Sequence, residues 1–146
     1  MMELPLPRRR FAIHHTCQTT PAKPDKPRVA IVDDNVDCRE LLGILLSETF
    51  EIVTFDTVKE AIETIPVCKP ALVLCDLLMP DHDGFDLIKR LRAQAVAIPV
   101  IAVTAHLAQN AREKAIAAGF DDFVTKPFDV EAMLQLIHRC AGLDGA

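Results

Sequence analysis

The sequence predicts an α/β protein: a doubly wound, five-stranded parallel sheet in the order 2-1-3-4-5, with five helices. Three observations lead there. Short apolar runs alternate with longer amphipathic segments five times in about 115 residues, the pattern of successive right-handed crossovers onto a parallel sheet. The run Ala71 to Cys75 is nearly continuous Leu/Val without polar alternation, as suits a strand covered by helices on both faces. Conspicuous polar residues close four of the five strands, at the sheet edge where open α/β folds place their ligand crevices.

In chain order, Val29 to Val32 reads as the first strand and ends in Asp33-Asp34-Asn35, where Asn35 is a good N-cap. The helix that follows, Val36 to Ser47, repeats apolar residues at Cys38, Leu41, Leu42 and Leu45, the spacing of one buried stripe. Glu51 to Phe55 is the second strand. Thr57 and Glu60 have capping-box spacing at the start of a helix that runs to Val67, and Lys69-Pro70 breaks it. The central strand, Ala71 to Cys75, delivers Asp76 to its end, and Pro80, Asp81, Asp83 and Gly84 punctuate a loop. A third helix places Phe85, Leu87, Ile88 and Leu91 on one face. Ile98 to Val103 is the fourth strand, with Pro99 tolerable near its start. Leu107 to Ala118 is an Ala-rich helix ended by Gly119. Asp122 to Thr125 forms the last strand, Lys126-Pro127-Phe128 a turn, and Asp129 caps a final helix through Cys140 with a stripe at Val130, Met133, Leu134 and Ile137.

Composition bounds the function. With 146 residues, half of them apolar, the chain is expected to hold one domain over residues 28–143 with a sizeable core. Residues 1–27 carry five Lys/Arg against two Asp/Glu in a Pro-rich stretch without periodicity, so they are expected to form a disordered or extended basic tail. The remainder holds 11 basic against 19 acidic residues and lacks a basic stripe of the kind that tracks phosphates, which argues against nucleic acid as a partner. The five cysteines, at 17, 38, 68, 75 and 140, form no CxxC pair and no spacing that suggests a zinc site or a disulfide framework. Cys38, Cys75 and Cys140 are expected as small buried hydrophobes. His14-His15 could in principle ligate a metal, but with no third ligand nearby the pair makes a weak case for a site. No apolar run is long enough to span a membrane, and Arg8-Arg9-Arg10 is not followed by a signal-peptide core, so the expected location is cytoplasmic.

Asp33 and Asp34 follow the first strand, Asp76 the third, Thr104 the fourth and Lys126 the fifth. In the order 2-1-3-4-5 the first and third strands are neighbours, so three carboxylates converge with a hydroxyl and an ammonium beside them. Like charges this close oppose one another's ionisation unless a cation intervenes, and a hard divalent ion with oxygen ligands, Mg2+, is the expected one. The same geometry lets an Asp76 oxygen attack a phosphoryl group while the metal and Lys126 neutralise the transferring oxygens and Thr104 donates to one of them. Each residue alone has a plainer role: a helix-start acidic pair, a β-branched strand end, a solvated lysine. Five such residues at strand ends favour the chemical role.

Val32-Asp33-Asp34-Asn35, Asp76-Leu-Leu-Met-Pro80 with Asp83-Gly84, Val103-Thr104-Ala105 and Lys126-Pro127-Phe128, all in order between Pro27 and Leu143, resemble the receiver (CheY-like) domain of two-component response regulators. The resemblance implies the flavodoxin-like fold and phosphotransfer to Asp76 from a sensor histidine kinase or a histidine phosphotransfer protein. It also implies Mg2+ bound by Asp33 or Asp34, Asp76 and the main-chain carbonyl of Leu78. A switch is implied as well: the Thr104 hydroxyl is drawn toward the phosphoryl group and the aromatic at Phe123 turns inward. Because Phe123 has no hydroxyl, the inward state is expected at rest. Leu78 cannot hydrogen-bond an attacking water, so slow loss of the phosphoryl group is expected, while His106 either orients a water or caps a helix.

Few residues follow the last helix, so the expected form is a stand-alone receiver acting through an unknown downstream target. The expected surface is the fourth helix, last strand and fifth helix, including Leu107, Phe123, Phe128 and Leu136, which also offers a homodimer contact. Two other functions are disfavoured. A flavin or nucleotide binder needs a Gly- or Ser/Thr-rich phosphate loop where Asp33-Asp34-Asn35 stands. An aspartyl-phosphate hydrolase usually needs a second acid at the position of Leu78. A pure interaction module of the same fold remains as the alternative, made unlikely by the intact Asp33, Asp34, Asp76, Thr104 and Lys126.

Overall fold

The computed structural model of the chain describes residues 26–77, 84–105 and 110–142. Five strands alternate with five helices: β1 Arg28–Val32, α1 Val36–Leu46, β2 Glu51–Phe55, α2 Val58–Cys68, β3 Leu72–Cys75, α3 Gly84–Ala93, β4 Val100–Thr104, α4 Ala111–Ala118, β5 Asp122–Thr125 and α5 Val130–Cys140. All strand pairs are parallel, as the alternation of segments requires, and the sheet order is β2-β1-β3-β4-β5, the order expected. The expected tail lies, up to residue 25, outside the described residues.

The two faces of the sheet bury separate cores. Val73, Cys75, Val100 and Ala102 point toward α2, α3 and α4 and meet Ala61, Ile65, Leu87, Ile88 and Leu91. Leu72, Leu74, Ile101 and Val103 point the other way and meet Leu42 and Leu46 of α1 and Met133, Leu136 and Ile137 of α5. Alternation of side chains along each strand thus fills both layers, and every residue of β1, β3 and β4 is buried.

Caps set where the helices begin. Asn35, Thr57 and Asp129 each accept from the backbone N–H three residues on, at 3.0, 3.2 and 3.2 Å, satisfying donors that a helix start leaves unpaired. α2 ends where Lys69 turns left-handed at φ 52°, and α4 where Gly119 does at φ 117°, a conformation that costs glycine least.

Three element expectations need correction. β4 starts at Val100 rather than Ile98: Pro99 has no N–H for the ladder, although its carbonyl accepts from Val73 N at 2.9 Å. α4 begins at Ala111, and the expected start at Leu107 lies outside the described residues. In α1 the buried row is Leu42 and Leu46 with Cys38 half-buried, while Leu41 is 52% exposed. Apolar residues at 41, 42, 44, 45 and 46 encircle that helix, so periodicity left its rotation about the axis open.

Candidate functional site

Register places the acidic residues. Val32 of β1 lies opposite Cys75 of β3, so Asp33 and Asp76 leave neighbouring strands at the same level, tied by the Asp76 N–H donating to Val32 O at 2.9 Å. One carboxylate oxygen from each of Asp33, Asp34 and Asp76 falls within 4.8 Å of the others. Asp33 is buried, Asp34 exposed and Asp76 intermediate. Mutual repulsion at this range is offset by Lys126, whose Nζ donates to Asp33 Oδ2 at 3.0 Å and to Asp76 Oδ2 at 3.3 Å. Burial by itself would depress the Lys126 pKa. The hydrogen bond and charge of Asp33, with the charge of Asp76, outweigh it and hold the ammonium above the ordinary lysine value.

Thr104 is the last residue of β4 and is buried, and its carbonyl accepts from Lys126 N at 2.9 Å, so these two expected site residues share a backbone contact. The Lys126–Pro127 peptide bond is cis. Phe123, on β5, is 9% exposed and packs in the core layer under α4. Gly84 opens α3 directly against the acidic strand end: a Cβ there would sit 2.6 Å from Asp76 O and 3.1 Å from Cys75 Sγ.

Asp33, Asp34, Asp76 and Lys126 are therefore one constellation, with Thr104 beside it. Leu78, expected to supply a metal-binding carbonyl and to set phosphoryl lifetime, lies outside the described residues, as does His106. The donor set suits a hard divalent cation, being three carboxylate oxygens in a 4.8 Å cluster at the open end of a sheet.

Two residues near the site were not singled out from sequence. Cys38, expected as a plain buried hydrophobe, is half-buried, and burial together with the nearby Asp33 raises its thiol pKa to about 11. Arg39 donates from Nη1 to the Asp33 carbonyl at 2.7 Å. Both occupy the start of α1, so their distance from Asp34 in sequence was the available signal. Cys38, Cys75 and Cys140 form no disulfide.

The face formed by α4, β5 and α5 differs from expectation. Phe123 and Leu136 are buried within the chain's own core, and Leu107 lies outside the described residues. What this face offers instead is Ile116, 43% exposed, and a depression of about 280 Å³ lined by residues including Val124, Thr125, Pro127 and Phe128. Among the described residues, no helix is long and apolar enough to cross a membrane.

A family model described as the response regulator receiver domain matches residues 29–138. The chain is 36% identical over 114 residues to an uncharacterised 14.6 kDa protein of Leptolyngbya boryana, covering 76% of this chain and 87% of that one. It is 32% identical over 121 residues to the transcriptional regulatory protein PhoP of Escherichia coli K12, covering 80% of this chain and 54% of PhoP, so it spans about half the length of that relative. Among solved structures it resembles the receiver domain of the Francisella response regulator 1452, with TM-score 0.75, 25% identity, and coverage of 80% and 98% of the two chains. It also resembles the receiver domain of a LuxO-type repressor from Vibrio parahaemolyticus, with TM-score 0.74, 28% identity, and coverage of 82% and 95%.

Proposed function

The chain belongs to the response regulator receiver family of two-component signalling, and from that premise we propose that Asp76 accepts a phosphoryl group, with Mg2+ bound at Asp33, Asp34 and Asp76. The donor is a sensor histidine kinase or a histidine phosphotransfer protein. The observation that carries this reading is the bridging of Asp33 and Asp76 by Lys126 within the acidic cluster.

The chemistry balances simply. An Asp76 carboxylate oxygen forms a bond to phosphorus as the P–N bond to the donor imidazole breaks, and the electron pair returns to the ring nitrogen. A cation held by Asp33, Asp34 and Asp76 would supply positive charge to the transferring oxygens. Lys126, already 3.3 Å from Asp76, donates to a phosphoryl oxygen, and the Thr104 hydroxyl donates to another. Phe123 follows Thr104 as the switch aromatic, being seated in the core beneath α4. Asp33, Asp34, Asp76 and the Leu78 carbonyl are the ligands we assign. The chain is a phosphoacceptor switch that assists its own phosphorylation and dephosphorylation, not an enzyme acting on a separate substrate.

We place the protein in the cytoplasm, beside its donor's kinase domain. Val36, Leu41 and Ile44 are each more than half exposed on α1, the helix that begins just past the acidic pair, and we assign this apolar face to the donor. The downstream target meets α4, β5 and α5. A homodimer on that face finds less apolar surface than the sequence promised, because Phe123 and Leu136 are buried. The tail over residues 1–27 and the receiver over 28–143 are assigned separate roles, and phosphoryl loss is slow on account of Leu78.

The deciding experiment incubates the protein with Mg2+ and acetyl phosphate or beryllofluoride and reads modification by intact mass and solution mass by light scattering. Wild type acquires one modification and Asp76→Asn none. Equal labelling of Asp76→Asn removes the central assignment and leaves a phosphorylation-independent interaction module.

A further inference from the structure

Asp33 is 3% exposed, and each of its polar atoms has a partner. Its N–H donates to Phe55 O at 3.1 Å. Oδ1 accepts from Asn35 N at 2.9 Å and Oδ2 from Lys126 at 3.0 Å. Its main-chain carbonyl accepts from Arg39 Nη1 at 2.7 Å, the shortest of the four and a charge-assisted bond. Arg39 lies one turn into α1, where its N–H bonds Asn35 O at 3.1 Å, and its side chain leans back toward the helix start, as helical side chains do.

We propose that Arg39 is a positioning residue for the acidic site: its guanidinium, by holding the Asp33 carbonyl, fixes the direction in which the Asp33 and Asp34 carboxylates face a divalent cation. Without that donor a carbonyl of a buried residue is left unpaired, which is costly. The peptide between Asp33 and Asp34 relieves the cost by turning toward water, and the turn carries both carboxylates away from Asp76. Lys126 cannot substitute, because it donates to the carboxylate oxygens and so competes with the cation, whereas Arg39 donates to the main chain and leaves those oxygens in place. The charge of Arg39 works against cation binding, so its two effects have opposite signs and a measurement can separate them. Charges at a solvated protein edge interact weakly, and the hydrogen-bond effect is the larger.

This inference rests on the reading of the site as a Mg2+-dependent phosphoacceptor. The test compares wild type with Arg39→Met, which keeps the aliphatic stem, and Arg39→Lys, which keeps the charge. Mg2+ affinity is measured by calorimetry, the rate of labelling by acetyl phosphate is followed against Mg2+ concentration, and Tm is measured in EDTA. Arg39→Met is expected to bind Mg2+ about three- to tenfold more weakly, with the labelling rate at saturating Mg2+ within about twofold of wild type, and Arg39→Lys is expected to recover part of the affinity. Wild-type or tighter Mg2+ binding by Arg39→Met, with or without a lower Tm, overturns the proposal and leaves Arg39 a structural or purely electrostatic group. If Arg39→Met does not fold, Arg39→Lys decides: weaker Mg2+ binding supports positioning, and wild-type affinity overturns it. Wild type that takes up neither Mg2+ nor phosphoryl removes the reading of the site, and this inference with it.

Discussion

Lys126 donates to two carboxylates at once, and the consequence of losing it differs between binding and reaction. Lys126→Ala removes the cation that occupies the acidic oxygens, so Mg2+ is expected to bind several-fold more tightly in a calorimetric titration. Labelling by acetyl phosphate is expected to slow, because a donor to the transferring oxygens is gone. Weaker Mg2+ binding by this variant would show that Lys126 organises the carboxylates more than it competes for them. Cys38 supplies a pH signature. Its pKa rises from 9.0 to about 11, burial being the main cause and Asp33 the next, so the unfolded chain releases this proton before the folded one does. Stability therefore falls as pH rises through the window from about 9 to about 11, and it is unaffected below that window. Cys38→Ser is expected to flatten this part of a chemical-denaturation series taken from pH 8 to 11, and an unchanged slope argues against the assignment. The behaviour of Cys38 was not legible in sequence, because it reads as one more apolar residue of a helix stripe.

The capped starts of α1, α2 and α5 were legible, whereas the rotation of α1 was not. Asn35, Thr57 and Asp129 cap α1, α2 and α5 as their side-chain chemistry suggests. Thr57→Ala is expected to lower unfolding free energy by about 1 kcal/mol while leaving acetyl phosphate labelling intact, since Thr57 bonds Glu60 N and not the acidic cluster. Gly84 is the more demanding position. It reads as loop punctuation, yet it is the first residue of α3, packed so closely on β3 that an added methyl meets the Asp76 carbonyl at 2.6 Å. Gly84→Ala is expected to cost about 1–3 kcal/mol and to slow labelling, because the strain is relieved by moving the strand end that carries Asp76. Full activity with full stability in urea denaturation would place that strain elsewhere. The rotation of α1 depends on which of several leucines the sheet accepts, and Leu42 and Leu46 were chosen over Leu41 by packing against Val29, Ile31 and Met133.

At the level of the whole molecule the proposed cation site at the acidic edge would couple folding to cation binding. Three carboxylate oxygens within 4.8 Å repel in the absence of a counter-ion, so a cation that binds only the folded chain raises its stability by mass action. Mg2+ at about a hundred times its Kd is expected to add about 2.7 kcal/mol, read as a rise in Tm that EDTA abolishes. Asp34→Asn is expected to melt higher than wild type without Mg2+, since it relieves repulsion at an exposed position, and to gain less from Mg2+. A variant that gains as much as wild type would show that Asp34 is not a ligand. The formal charge of -5 is thus unevenly felt, with its strongest local effect at one end of the sheet.

The alternation of apolar runs and amphipathic segments set the number and parallel direction of the strands, because parallel strands need crossovers and crossovers have one hand, and the order 2-1-3-4-5 was the common one for such a sheet. The strand-end residues Asp33, Asp34, Asp76, Thr104 and Lys126 were visible for the same reason: a strand's end is fixed by where its apolar run stops. Distances between side chains that meet across loops were decided by folding. That Lys126 bridges Asp33 and Asp76, that Arg39 reaches the Asp33 carbonyl, that Gly84 has no room for a methyl, and that Leu41 and Leu136 fall on the sides they do all depend on how helices and loops settle on the sheet. That settling is a property of packing in three dimensions, and local periodicity carries no term for it.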